Sequence, residues 1–128
     1  MIPNFKAWDK YHEMIVSIIS IDFENKIAYV EQENGDRYDI HFDNLIFLQS
    51  TGLKDKNGVE IYEGDIVLFT IEDGFDYVYG KPGRINLSLQ WGAGVRASSG
   101  GNYPLRKCRE VRIIGNIYEN PELLEAIE

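Results

Sequence analysis

Several groups of residues in this chain have the right types for chemistry, and each can be tested against the spacing that chemistry needs. Cys108 is the one thiol, and His12 and His41 are the only two imidazoles that could activate it. Thiolate chemistry needs a base at hydrogen-bond distance, and no local signature of a cysteine enzyme surrounds any of the three. Cys108 therefore reads as a small hydrophobe in a strand, and His41 falls on the solvent-side phase of its own strand. One cysteine and two histidines are also too few for most transition-metal cages. Carboxylates gather at Glu60, Glu63 and Asp65, and again at Glu72, Asp73 and Asp76, and such oxygens suit hard cations. Neither set has calcium-loop spacing, and turn formation accounts for Asp65 and Asp73 without a metal. Gly92-Ala93-Gly94-Val95-Arg96-Ala97 has the form G-x-G-x-x-A, which cradles pyrophosphate only where a helix follows. Val95 to Pro104 is too rich in Ser and Gly for that helix, so a plain loop is the better reading. No catalytic residue, metal or cofactor is expected.

The remaining group is basic. Between Lys81 and Arg112 the chain carries seven Lys and Arg against Glu110 alone, a net of +6, while 6 basic and 20 acidic residues elsewhere bring the total to −8. The molecule is electrically two-sided. The residues expected to meet a partner are Arg84, Arg96, Tyr103, Arg106, Lys107 and Arg109. Complementary charge would steer them to an acidic protein surface, either a second copy or another protein. The same set, with Phe75, Tyr77 and Tyr79 before it, holds the ingredients of a nucleic-acid groove with rings for stacking bases. Against that stand the acidic balance of the whole and the commoner use of a period-two aromatic stripe as an interior. An enzyme using the acidic clusters and a divalent metal is a third reading. It lacks an acid, base and nucleophile set.

At 128 residues, with 44% hydrophobic and 27% charged residues, the chain suits one folded unit or two small fused halves. A single cysteine allows no intrachain disulfide, which fits a reducing cytoplasm. The first residues lack the layout of a signal peptide, and no apolar run approaches a membrane span. A soluble cytoplasmic protein is expected.

Short β-branched and alternating runs separated by turn residues predict an all-β chain. A first extended piece at Phe5 to Trp8 leads to a buried strand at Ile15 to Ile21. Ile27 to Val30 follows, and Asn34-Gly35 predicts a two-residue type I′ hairpin. Arg37 to Phe42 alternates so that Tyr38, Ile40 and Phe42 face a core, and Leu45 to Leu48 is a further strand. Residues 1–50 thus form an N-terminal β-meander, and 51–58 an exposed connection rich in turn residues. Residues 59–118 then form a small SH3-like barrel, with a tight turn at Glu63-Gly64-Asp65 and a strand at Ile66 to Phe69. Phe75, Tyr77 and Tyr79 share a strand face, Lys81-Pro82-Gly83 makes a turn, and Arg84 to Trp91 alternates again. Gly92 to Gly101 is a mobile loop, and Glu110 to Ile114 and Ile117-Tyr118 are late strands. Residues 119–128 hold a short C-terminal helix, with Asn120 as N-cap, Pro121 at the first position and Leu123, Leu124 and Ile127 packing it down.

Three blocks occur together in this order: Phe5-Lys6-Ala7-Trp8-Asp9-Lys10, then QSTGLKDKNGVEIYEGDIV over Gln49 to Val67, and IGNIYENPELL over Ile114 to Leu124. In this combination the chain resembles the YopX family of small phage and prophage proteins. The resemblance implies a mostly β fold and a mobile-element origin, makes Tyr62-Glu63-Gly64-Asp65 a structural corner, and carries no catalytic residue or cofactor. Phe69 to Arg109 lies outside these blocks, so the basic set rests on its own residues alone.

Overall fold

The computed structural model describes residues 5–72, 77–90, 92–97 and 100–126. They form three antiparallel sheets and three short 3₁₀ segments, divided between two compact units, residues 1–49 and 50–128.

In the first unit β1 (Lys6–Asp9), β2 (Met14–Asp22), β3 (Ile27–Glu31), β4 (Arg37–His41) and β5 (Leu45–Leu48) form one sheet in the order β4-β3-β2-β1-β5. This is a meander whose last strand folds back beside the first. Ala7, Val16, Ala28, Val30, Ile40 and Leu45 make its buried face, with Met14, Ile18, Tyr38 and Phe42 packed against them. The β-branched run of β2 is buried on one side only. A bulge between Ile18 and Ser20 throws Ile19 outward, where it is 42% exposed. The β3–β4 hairpin also departs from the two-residue turn. Glu31 pairs with Arg37 and the Gln32 amide donates to the Asp36 carbonyl, so Glu33, Asn34 and Gly35 form a three-residue loop. Gly35 is left-handed (φ 94°) but Asn34 is not, because the Asn34 carboxamide oxygen instead accepts from the Asp36 amide at 2.9 Å.

In the second unit β6 (Ser50–Lys54) and β7 (Glu60–Tyr62) form a hairpin. Residues 51–58 are therefore less of a free connection than their turn chemistry suggests. Asp55 is buried, and its carboxylate accepts from the amides of Asn57, Val59 and Ile113. The Lys56 amide donates to the Val111 carbonyl, so the loop is pinned to a distant strand. At the next corner the Asp65 carboxylate accepts from the Tyr62 amide at 2.8 Å, and Gly64 takes φ 92°.

β8 (Asp65–Glu72), β9 (Tyr77–Ser88), β10 (Gly92–Ala97), β11 (Asn102–Pro104) and β12 (Arg109–Asn116) form the third sheet, in the order β11-β10-β9-β8-β12. The first and last strands of the set thus meet at β8 and β12, but no ladder closes β11 onto β12 among the described residues. Ile61, Val67, Phe69, Ile71, Ile85, Val95, Ala97, Leu105 and Val111 make its core.

Several expectations change here. Lys81-Pro82-Gly83 is no turn: Pro82 pairs with Leu68 and Gly83 with Val67 inside the longest strand. Pro82 lies one residue beyond the last β10 pair, Gly83 with Ala97, where a missing N–H costs little. Gly92–Ala97, expected to be a mobile loop, is β10 itself, with Val95 and Ala97 buried. Ile117 and Tyr118 form a turn, because the Asn116 carboxamide oxygen accepts from the Tyr118 and Glu119 amides and ends the strand. The C-terminal segment Pro121–Ala126 is 3₁₀, with Leu123 and Leu124 half-buried. The Asn120 side chain is turned back onto the Asn116 amide. Of the expected aromatic stripe, Phe75 lies outside the described residues and Tyr79 is 56% exposed.

Gly83 shows why composition misleads in this sheet. A Cβ there would sit 2.3 Å from Val95 Cγ1 and 2.8 Å from Phe69 Cε1. The glycine is in the strand because the core leaves no room for a methyl group. Gly83→Ala is expected to cost about 1–3 kcal/mol of unfolding free energy by urea titration, as overpacked cores do. Gly94→Ala, whose nearest neighbours are the Asn86 and Asn102 carboxamide oxygens at 3.1 and 3.2 Å, should cost less.

Candidate functional site

The third sheet sorts the basic residues by strand alternation. Residues directly opposed on neighbouring strands point to one face. Ile85, Val95 and Tyr103 are in register across β9, β10 and β11 and belong to the core face. Arg84, Arg96 and Asn102 are in register one residue away and therefore point outward. Both arginines are exposed. Arg112 lies opposite Leu68, and Arg109 opposite Thr70, which alternates with buried Phe69 and Ile71, so both belong to the same outer face. Asn86 and Asn102 meet beside the arginine pair, Nδ2 to Oδ1 at 3.4 Å, over the gap left by Gly94.

Of the six residues expected to meet a partner, the structure brings together Arg84 and Arg96 directly and adds Arg109 on the same face. Arg106 and Lys107 lie exposed on the 3₁₀ segment Leu105–Lys107, whose Leu105 is buried. Tyr103 is not with them. Its ring packs against Phe69 at 5.8 Å between centroids, on the core side. The residues that sequence reasoning left out of the set, Asn86, Asn102 and Arg112, become visible only once the register is known.

No carboxylate lies within ion-pair distance of Arg84, Arg96, Arg109 or Arg112 among the described residues. Glu110, the one acid of this stretch, points to Lys56 at 3.5 Å. Arg84 and Arg96 are directly opposed on adjacent strands, where like charges disfavour pairing, and the Arg84 charge also acts on the half-buried Tyr118 phenol, partly offsetting the rise that burial and Glu63 cause. What the arrangement can do is accept a carboxylate or phosphate through the planar donor forks of arginine.

The groups suited to catalysis are committed elsewhere. The Cys108 thiol donates to the Pro104 carbonyl, and burial pushes its pKa up to about 11, away from a reactive thiolate. The His41 ring accepts from the Asp43 amide. Glycine-rich β10 is followed by β11 rather than a helix, so it makes no phosphate cradle. No group of three or more metal-ligating side chains occurs among the described residues. Asp73 and Asp76 lie outside them.

Sequence reasoning missed one polar cluster. At the end of β1, the Asp9 carboxylate is fully buried and accepts four hydrogen bonds. The Tyr11 and His12 amides donate to Oδ1 at 2.8 and 2.9 Å, and His12 Nδ1 and the Tyr38 hydroxyl donate to Oδ2 at 2.6 Å each. Gln32 donates in turn to the Tyr38 oxygen. Because an ionised carboxylate only accepts, His12 Nδ1 carries the proton of this bond. Burial by itself would raise the Asp9 pKa. The Tyr38 hydroxyl and the His12 amide and ring outweigh it and hold the carboxyl below its ordinary value. Burial and the bond to Asp9 push the Tyr38 phenol up, so it stays protonated as a donor. All four acceptor sites of the carboxylate are thereby filled.

A carboxyl whose pKa is depressed by folding stabilises the native state above its unfolded value, about 3.9, and loses that contribution as pH falls through the folded value. Asp55 is depressed too, burial being outweighed by the Val59, Ile113 and Asn57 amides. The part due to Asp9 is therefore the difference between wild type and Asp9→Asn, which should shrink as thermal melts are taken below about pH 4. Tyr38→Phe, read at pH 7, should cost about 1.5–3 kcal/mol, the range for a hydrogen bond to a charged group.

Comparison with known proteins agrees with this architecture. The chain is similar over 97% of its length to 99% of the crystal structure of protein EF1440 from Enterococcus faecalis, with 28% sequence identity and a TM-score of 0.58. No curated protein matches the sequence. The family model described as YopX protein matches residues 4–125. Nearly the whole chain is thereby covered, and the protein belongs to the YopX family.

Proposed function

We propose that this protein is a non-enzymatic interaction module that binds an acidic protein surface through the outer face of its β8–β12 sheet. The observation that carries the reading is the cross-strand pair Arg84 and Arg96, exposed, directly opposed and without a carboxylate partner among the described residues. Arg109 and Arg112 extend the charge across the same face, with Arg106 and Lys107 on the adjoining segment. Long-range attraction to such a face raises the encounter rate, and the guanidinium forks give each acidic side chain a defined seat. The high thiol pKa of Cys108 and the saturated Asp9 carboxylate support the non-enzymatic part of the reading. A cytoplasmic setting and a phage or prophage role rest on the family resemblance and the single cysteine. Nucleic acid is the second reading: Tyr103 is turned into the core, which leaves Tyr79, 56% exposed on β9, as the ring of the expected set that could stack a base. Among the described residues no helix is long and apolar enough to cross a membrane.

The test compares tagged wild type with Arg84→Glu/Arg96→Glu in capture from host lysate, with and without nuclease. A stoichiometric protein, either from the lysate or untagged copies of the chain added to it, retained by wild type after nuclease and lost by the variant is the expected result. Equal retention by the variant, or loss of everything with nuclease, sinks the reading. Stability supplies an independent prediction. Arg84→Glu alone replaces a repulsive cross-strand pair with an attractive one. It should raise the unfolding free energy by about 0.2–1 kcal/mol while weakening the complex.

A further inference from the structure

We propose that the acidic surface fitted by this basic face is the β3–β4 hairpin of a second copy of the chain, so that copies associate head to tail. The inference rests on the reading of the β8–β12 sheet as a binding face and names its partner.

The hairpin from Glu31 to Asp39 carries Glu31, Glu33, Asp36 and Asp39 against Arg37 alone, a net of −3. Arg37 is spent on Glu31 at 3.3 Å, which leaves Glu33, Asp36 and Asp39 exposed and without a cation within ion-pair distance among the described residues. The hairpin is also held in one shape. The Asn34 side chain bonds Asp36 twice, and the Tyr38 hydroxyl, between Arg37 and Asp39 in sequence, is tied to buried Asp9. A fixed backbone loses little conformational entropy when its carboxylates meet guanidinium groups. β4 lies at the edge of its sheet, where such a row of charges is reachable from outside. The facing surface has matching chemistry: Arg84 and Arg96 directly opposed on β9 and β10, Arg109 and Arg112 on β12 beyond β8, and the Asn86 and Asn102 carboxamides beside the arginine pair. The two surfaces differ, so the contact is heterologous, and a dimer as a whole still offers one free face and one free hairpin.

Sedimentation velocity on the full chain tests this. At low ionic strength the wild-type sedimentation coefficient should rise with protein concentration, and it should return to the monomer value in about 0.5 M salt, where exposed charges are screened within a few ångströms. Arg84→Gln/Arg96→Gln and Asp36→Asn/Asp39→Asn, which remove charge without creating a new attractive pair, should each remain monomeric alone. An equimolar mixture of the two should form a complex that stops at the dimer, since only one intact face and one intact hairpin remain. A wild type that stays monomeric at every concentration overturns the inference, as does a variant that still associates. If that monomer nevertheless captures a host protein through Arg84 and Arg96, the face binds a different acidic partner and only the identity proposed here fails. If it captures nothing, the binding face itself is lost.

Discussion

Two buried carboxylates organise this protein, one in each unit. Asp9 and Asp55 are the only charged side chains buried among the described residues, and each is surrounded by donors. A buried charge without such bonds would cost several kcal/mol, so each acid requires that its donors be in place. For Asp9 the requirement reaches across the sheet. β4 is three strands away from β1, roughly 14 Å across a flat sheet at about 4.8 Å per step. Tyr38 on β4 nonetheless places its hydroxyl 2.6 Å from Asp9 Oδ2, so the sheet must curl over its apolar face. Ala7 and Ala28, both fully buried, leave room for that curl. A five-stranded sheet without a helical layer among its described residues thereby covers much of its own core. Asp55 does comparable work in the second unit. It gathers the amides of its own loop and that of Ile113, 58 residues away, so the β6–β7 connection is fastened to β12.

This explains which parts of the fold were legible in the sequence. Local period and turn chemistry are written in consecutive residues, so Leu45 to Leu48, the alternation of Tyr38, Ile40 and Phe42, and the Glu63-Gly64-Asp65 corner could be read directly. The failures share a cause of the opposite kind. Gly83, Gly94 and the glycines of β10 look like punctuation, but what places glycine at 83 is a valine and a phenylalanine from two other strands. No window of neighbouring residues contains that information. Ile117 and Tyr118 were missed for a related reason. They are apolar and aromatic like the strand before them, but the Asn116 side chain takes their backbone out of the ladder.

The candidate site divides in the same way. The sign and rough position of the charge were visible as a count, +6 between Lys81 and Arg112. Which of these residues act together was not, because Arg84 and Arg96 become neighbours only through the β9–β10 register. Tyr103 differs from Asn102 by one residue, and that single step turns its ring from the basic face into the core. The Asp9 cluster was hidden by separation, since Tyr38 lies 29 residues from its acceptor. An aspartate that ends a strand two and three residues before the amides its side chain accepts from, Tyr11 and His12, was the one local signal.

A sheet selected for stability alone would not oppose two arginines on adjacent strands, because an acid in either position gains what the like pair loses. Nor does burial explain them, for both are exposed. The tolerated repulsion sits on the rigid part of the unit, on strands whose other face carries Ile85, Val95 and Phe69 in the core. Side chains on such a frame keep their spacing when a ligand arrives, whereas the same charges on a loop would have to be ordered first. The Asp9 network fixes the β3–β4 hairpin in the same sense, from beneath its exposed acids. Buried polar bonds and core packing thus present the chain's charge asymmetry as two surfaces, an arginine-bearing sheet face in one unit and an acid-rich hairpin in the other, each fixed to paired strands.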